Sequence, residues 1–173
     1  ENVAGMLETK IVEAACVSLD VTMCNLLIKG LFMMGLFEDA LAMYKKISDM
    51  GLTSNVVTYC TMIEGYLKVG RIDEALEIFD EFREASITSA ACYNCTINGL
   101  CKNDMPDVAV EVLVELIDQG LPLSSTTYMI LIEKIFGVKG ADGVLDLFQR
   151  LGRSEHKKIG SVCTDVISFL CNK

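Results

Sequence analysis

The sequence predicts an all-α chain of stacked helical hairpins, an α-solenoid. Three observations predict it. One pattern of apolar residues and glycines returns every 34 or 35 residues along most of the 173-residue chain. Within each period, apolar residues fall at helical spacing in two separate stripes. Proline is confined to Pro106 and Pro122, while Ala, Leu, Glu, Met and Lys fill the periodic segments.

The repeat is legible by eye. "VTMCNLLIKGLFMMGLFEDALAMY" from Val21 lies over "VVTYCTMIEGYLKVGRIDEALEIF" from Val56. "AACYNCTINGLCKNDMPDVAVEVL" from Ala90 and "STTYMILIEKIFGVKGADGVLDLF" from Ser125 follow. Four units result: 21–55, 56–89, 90–124 and 125–159. Residues 1–20 read as the second helix of a truncated preceding unit, and 160–173 as a terminal or capping helix.

The columns agree across units. The fourth position holds Cys24, Tyr59, Tyr93 and Tyr128, and the eighth holds Ile28, Ile63, Ile97 and Ile132. The twentieth holds Ala40, Ala75, Ala109 and Val144, and the twenty-fourth Tyr44, Phe79, Leu113 and Phe148. The tenth position is Gly30, Gly65 and Gly99, then Lys134. Positions 4, 7, 8, 11 and 12 predict the buried stripe of a first helix, and 20, 21, 24 and 27 that of a second. Gly35 and Gly70 stop first helices, Asp73 and Asp107 are placed to open second ones, and Pro106 suits a first helical turn. A single hairpin cannot bury both stripes, so the units must stack.

Composition narrows the function classes. Half the residues are apolar and the mean hydropathy is +0.40, enough for a sizeable core. The richest apolar segment, Leu26 to Phe37, is broken by Lys29, Gly30 and Gly35, so no membrane span is expected. The first residue is Glu1 and no signal or transit pattern is visible, which reads as a fragment or processed form. Most of the eight cysteines sit in apolar helical patterns, which suits buried thiols in a reducing compartment. A formal charge of −9 argues against broad, charge-driven nucleic-acid binding unless the charges are segregated. They are. The first helices carry Lys29, Lys68, Lys102 and Lys134 against Glu64 and Glu133, a balance of +2. The second helix of the second unit carries six acidic residues against Arg83, a balance of −5.

Candidate chemistry is sparse. "CYNCTINGLCKN" places Cys92, Cys95 and Cys101 in a C-x₂-C-x₅-C pattern, but no second pair or histidine completes a zinc set. His156, the sole histidine, lies in a polar stretch. No H-x-E precedes a C-x₂-C, and no glycine-rich phosphate loop joins a strand to a helix. The carboxylates of "DEALEIFDEF" follow a solvated helical face, and "LFMMGLF" reads as core filling. The expectation is a protein with no enzymatic activity, no cofactor and no metal.

At "VVTYCTMIEGYLKVGRIDEALEIFDEF" and "CYNCTINGLCKN" the sequence resembles the pentatricopeptide repeat family, in its plain 35-residue form. A tetratricopeptide array, the nearest rival, has its glycine at position 8. Here that column is Ile and the glycine is at position 10. The resemblance implies a right-handed solenoid that binds single-stranded RNA of plant mitochondria or chloroplasts, one base per repeat, in RNA processing, stability, editing or translation. It also implies that the fifth and last residues of each unit recognise the base. These are Asn25 with Asn55, Cys60 with Ser89, Asn94 with Ser124, and Met129 with Ile159. The two asparagine-led pairs resemble cytosine readers. Cys60 departs from the usual polar residue, and Met129 with Ile159 cannot supply amide or hydroxyl groups for base readout. At position 2, Val57 resembles the base wedge, whereas Thr22, Ala91 and Thr126 do not. At position 13, Lys68 and Lys102 resemble phosphate contacts, whereas Met33 and Gly137 do not. With two competent readers, these repeats alone are expected to bind RNA weakly. The alternative function is a tetratricopeptide-like protein-interaction scaffold with no RNA contact. A protein partner or self-association would then use the array ends.

Overall fold

The structure is a computed structural model and describes residues 5, 6, 10 and 20–152. The expectations for the terminal segments, for Ile159 and for His156 lie outside the described residues. Seven helices are described: α1 Val21–Met33, α2 Phe37–Asp49, α3 Val56–Lys68, α4 Ile72–Glu84, α5 Ala90–Lys102, α6 Pro106–Asp118 and α7 Ser125–Gly152. No strand is present among the described residues. No described helix is long and apolar enough to cross a membrane. The chain divides into two compact units at Thr88/Ser89.

In the first unit, α1 packs on α2 and α3, and α3 packs on α4. The core is built from the repeat columns. Ile28 and Ile63 are fully buried, as are Cys24, Leu31 and Met62, with Tyr59 and Tyr66 beside them. Ala40, Met43, Ile47, Ala75, Phe79 and Phe82 close it from the second helices. Tyr59 meets Tyr44 and Phe82 edge-on, at 6.3 and 5.6 Å between ring centroids. In the second unit, α5 packs on α6, and α7 packs on both. Its core repeats the scheme with Tyr93, Ile97, Leu100, Ala109, Leu113, Tyr128, Ile132 and Val144.

Left-handed residues end the helices. Gly35 (φ 76°) and Gly70 (φ 77°) follow α1 and α3. The next amides close back onto the helix, from Leu36 to the Leu31 carbonyl at 2.9 Å and from Arg71 to Tyr66 at 3.0 Å. Asp104 (φ 57°) does the same after α5 without being glycine. The fourth repeat departs from this pattern. Its left-handed residue is Gly140 (φ 65°), which interrupts α7 one position later than the corresponding glycines.

One expectation needs correcting. Asp73 and Asp107 do not cap α4 and α6, whose N-caps are Arg71 and Met105. Each aspartate lies in the first turn, where its charge favours the helix dipole instead. The arginine has another use. Its guanidinium bonds Glu74 at 2.6 Å and Glu38 at 3.1 Å and sits over the Phe37 and Tyr66 rings.

At Gly65 the tenth-position glycine has a steric cause; at Gly30 a Cβ would meet nothing within 4 Å. A Cβ on Gly65 would fall 2.5–2.6 Å from Phe32 ring atoms, including the ring's root carbon. The ring is held edge-on to Tyr66 at 5.0 Å. Gly65→Ala therefore sets a helix-propensity gain of about 1 kcal/mol against overpacking of about 1–3 kcal/mol. The expected result by urea denaturation is a net loss of up to about 2 kcal/mol. In a Phe32→Leu background the same substitution is expected to cost less, because the smaller side chain can yield. An equal cost in both backgrounds would reject the contact as the cause.

Candidate nucleic-acid interface

The last residue of one unit is the residue before the next first helix, and this brings two of the four fifth-and-last pairs together. Asn55 precedes α3 with an extended backbone. Its Oδ1 accepts the Thr58 amide at 3.0 Å, while Thr58 Oγ1 accepts the Asn55 amide at 3.2 Å, a reciprocal capping box. Asp20 caps α1 one-sidedly, its side chain accepting the Met23 amide at 2.8 Å. Because α1 and α3 pack side by side, the capped end of α3 faces the first turns of α1. Asn25 Nδ2 donates to Asn55 Oδ1 at 3.5 Å across 30 residues of sequence.

Asn25 is 6% exposed, and its Oδ1 is buried with no hydrogen-bond partner. Such an atom carries a desolvation cost.

The third repeat brings its pair together differently. Asn94 is half-buried. Its Oδ1 accepts the Ser124 amide at 3.1 Å, and its Nδ2 donates to the Ala90 carbonyl at 2.7 Å and the Pro122 carbonyl at 3.4 Å. The Asn94 amide is thus engaged with backbone, which leaves the exposed Ser124 side chain as the more available group. Ser124 also opens α7, its carbonyl accepting the Tyr128 amide at 3.0 Å.

The other two pairs are less developed. Cys60 is half-buried on α3. Ser89 precedes α5 without a side-chain cap bond, and the two belong to different compact units. Met129 is half-buried on α7.

The outward stripe of the first helices carries the remaining site residues. Val57 is 59% exposed on the first turn of α3. Lys68 and Lys102 are exposed at the ends of α3 and α5, and neither forms an ion pair among the described residues. In the fourth repeat the cations are neutralised. Lys134 Nζ lies 2.8 Å from Asp104 Oδ1, a bond that raises its pKa, and Lys139 pairs with Asp107.

The cysteine cluster is explained by packing. Cys92 is buried at the third position, where the second repeat has the capping-box residue Thr58, and Ser89 correspondingly makes no cap bond. Cys101 is buried at the twelfth position. In the first unit a large twelfth residue, Phe32, faces a tenth-position glycine, Gly65. In the second the sizes are exchanged, with the Cys101 thiol close enough to feel the Lys134 ammonium. Among the described residues no three His, Cys, Asp or Glu side chains gather in a way that could hold a metal ion.

Burial pushes the Cys101 thiol up to about 11, with Lys134 pulling weakly the other way. Its folded pKa lies above the ordinary 9.0, so the unfolded chain loses the proton first. Its contribution to stability is complete below about pH 9 and is lost as pH rises toward about 11. Cys101→Ala should flatten that alkaline decline in a chemical-denaturation series. An unchanged slope would exclude the thiol as its source.

Comparison with known proteins places this arrangement. Profiles of the PPR repeat family match residues 19–68 and 88–135, and the profile of the PPR repeat matches 57–87. The chain belongs to the PPR, or pentatricopeptide repeat, family. Among solved structures this PPR chain is similar to the pentatricopeptide repeat protein PPR10 from maize. The identity is 20% and the TM-score 0.73, over 95% of this chain and 24% of that one. PPR10 in complex with an 18-nt psaJ RNA element matches at 21% identity and a TM-score of 0.67, over 98% of this chain and 25% of that one. The PPR domain of Arabidopsis thaliana protein-only RNase P 1, in complex with tRNA, matches at 16% identity and a TM-score of 0.66, over 98% of this chain and 89% of that domain. The chain thus spans about a quarter of the length of maize PPR10. No curated protein sequence matches it. The PPR register makes Asn25/Asn55 and Asn94/Ser124 fifth-and-last pairs.

Proposed function

We propose that this PPR chain is part of an array that reads single-stranded RNA, one base per repeat, and serves organellar RNA metabolism without catalysing a reaction. The observation that carries the reading is the direct bonding of the fifth to the last residue in the first and third repeats, beside an unpartnered Asn25 oxygen. Lys68 and Lys102, exposed and without an ion pair among the described residues, supply phosphate attraction within an overall acidic chain. Maize PPR10 and the Arabidopsis RNase P domain, both solved with RNA, support the same class of ligand. Mitochondria and chloroplasts are the compartments proposed, with mitochondria placed first.

Base stacking is worth about 1–3 kcal/mol per base, against an association cost on the order of 4–15 kcal/mol. Two competent readers barely offset it, so affinity is assigned to the complete array. The test is a competition assay with the full-length protein and a labelled cytosine-containing RNA. Single-stranded RNA should compete, and the same RNA annealed to its complement should not. Equal competition by the duplex would overturn the single-strand reading, and no binding at all would favour a protein-interaction scaffold.

A further inference from the structure

We infer that Lys29 is the phosphate contact of the first repeat, in place of the lysine that its thirteenth position lacks. The inference rests on the RNA-reading function proposed above and adds a residue to it. At the thirteenth position the first repeat has Met33, a side chain 82% exposed and unable to pair with an anion. Lys29 lies four residues earlier, one turn away on the same face of α1. Asn25 lies four residues before that, so the reading asparagine, the lysine and Met33 follow one line along the helix. At 1.5 Å per residue, Lys29 sits about 6 Å along the axis from Asn25, within the span of one nucleotide.

Lys29 also shares a groove with Lys68. The two line an open cleft of about 340 Å³ between α1 and α3, with Phe32, Gly65, Thr61 and Glu64 among its other walls. That volume is at the low end of the roughly 300–1,000 Å³ of small-ligand sites. It suits a sugar-phosphate unit rather than a folded partner. The cleft stays open because Gly65 has no side chain and the Phe32 ring lies down against its backbone.

The charge is suited to an anion. Lys29 and Lys68 are both exposed, and neither forms an ion pair among the described residues. In the fourth repeat, by contrast, Lys134 and Lys139 are paired with aspartates. Glu64, in the same cleft, opposes the anion. The Thr61 hydroxyl is already donated to the Val57 carbonyl at 2.7 Å, so the two ammonium groups are left to hold a phosphate.

The test measures affinity of the full-length protein for a labelled single-stranded RNA across a salt series. Wild type is compared with Lys29→Ala, Lys68→Ala and the double variant Lys29→Ala/Met33→Lys. Removing one phosphate contact lowers the slope of log affinity against log salt by about 0.7. Lys29→Ala and Lys68→Ala should each show that loss, with base preference unchanged. Met33→Lys should restore the slope in the Lys29→Ala background. If Lys68→Ala loses slope and Lys29→Ala does not, the role of Lys29 is overturned while the RNA-reading function stands. If no variant changes the slope, the roles of both lysines are overturned while RNA binding by the wild type still supports the reading; if wild type does not bind, both fail.

Discussion

Replacing Ile63 by alanine is expected to destabilise the first unit by about 2–5 kcal/mol, as large-to-small changes at buried sites do. Ile63 is 0% exposed at the eighth position of its repeat, in a unit that also buries Met62, Tyr59, Tyr66 and Ile28. The site cannot refill easily. Rings of the same unit's core meet edge-on, and Tyr44 is held by its 2.6 Å bond to Glu81. In a stacked array a weakened repeat also weakens its neighbour's interface, so the loss should appear across the hairpins of that unit. Urea denaturation measures it. A loss below about 1 kcal/mol, the level of an exposed site, would contradict the packing described.

Asn55→Ala should have the second large effect, and Asn55→Asp should separate its two causes. Asn55 both caps α3 and bonds Asn25. Loss of a cap costs about 0.5–2 kcal/mol. Stripping Asn25 of its one bond leaves a buried amide unsatisfied, at about 1–3 kcal/mol. Aspartate retains an acceptor for the Thr58 amide and for Asn25 Nδ2, and its charge suits a helix N-terminus. Asn55→Asp should therefore stay near wild-type stability. It cannot donate, however, because a carboxylate only accepts. Its RNA preference should move from cytosine, whose edge presents N3 and O2 as acceptors, toward uracil, which presents an N3–H. Thermal melting and RNA titration together decide this. If Asn55→Asp is as unstable as Asn55→Ala, the cap assignment fails. If it keeps the cytosine preference, the reading role fails.

The two predictions draw on different levels of legibility. The helices could be read from the sequence because each hairpin needs two apolar stripes, and those columns recur unit after unit. Ile28, Ile63, Ile97 and Ile132 are all fully buried, as their common column requires. Gly35 and Gly70 stop their helices because their positive φ suits glycine. The last residue of a unit was legible as a partner of the fifth only through resemblance to the family. Its physical basis, a cap that faces the preceding first helix, becomes visible in three dimensions. The signal for that cap was present as the N-x-x-T spacing of Asn55 and Thr58.

What the sequence could not show depends on side-chain competition. Asn25 and Asn94 occupy the same column. One keeps a buried oxygen without a partner, while the other is engaged by three backbone groups of its own repeat. Lys134 counts as a positive charge in the sequence but is neutralised by Asp104, the residue that replaces the turn glycine of the earlier repeats. The exchange of Phe32 and Gly65 for Cys101 and Lys134 is a pairwise event between columns, invisible when each column is read alone.

The central claim is that the first and third repeats each read a base, with the second between them in sequence. Selection of bound RNAs from a random pool, by the full-length protein and by its Asn25→Ala and Asn94→Ala variants, tests it most directly. Wild type should enrich cytosine at two positions two nucleotides apart. Each variant should lose the enrichment at one position and keep it at the other. Absence of cytosine enrichment at that spacing, or enrichment that survives both substitutions, would contradict the account.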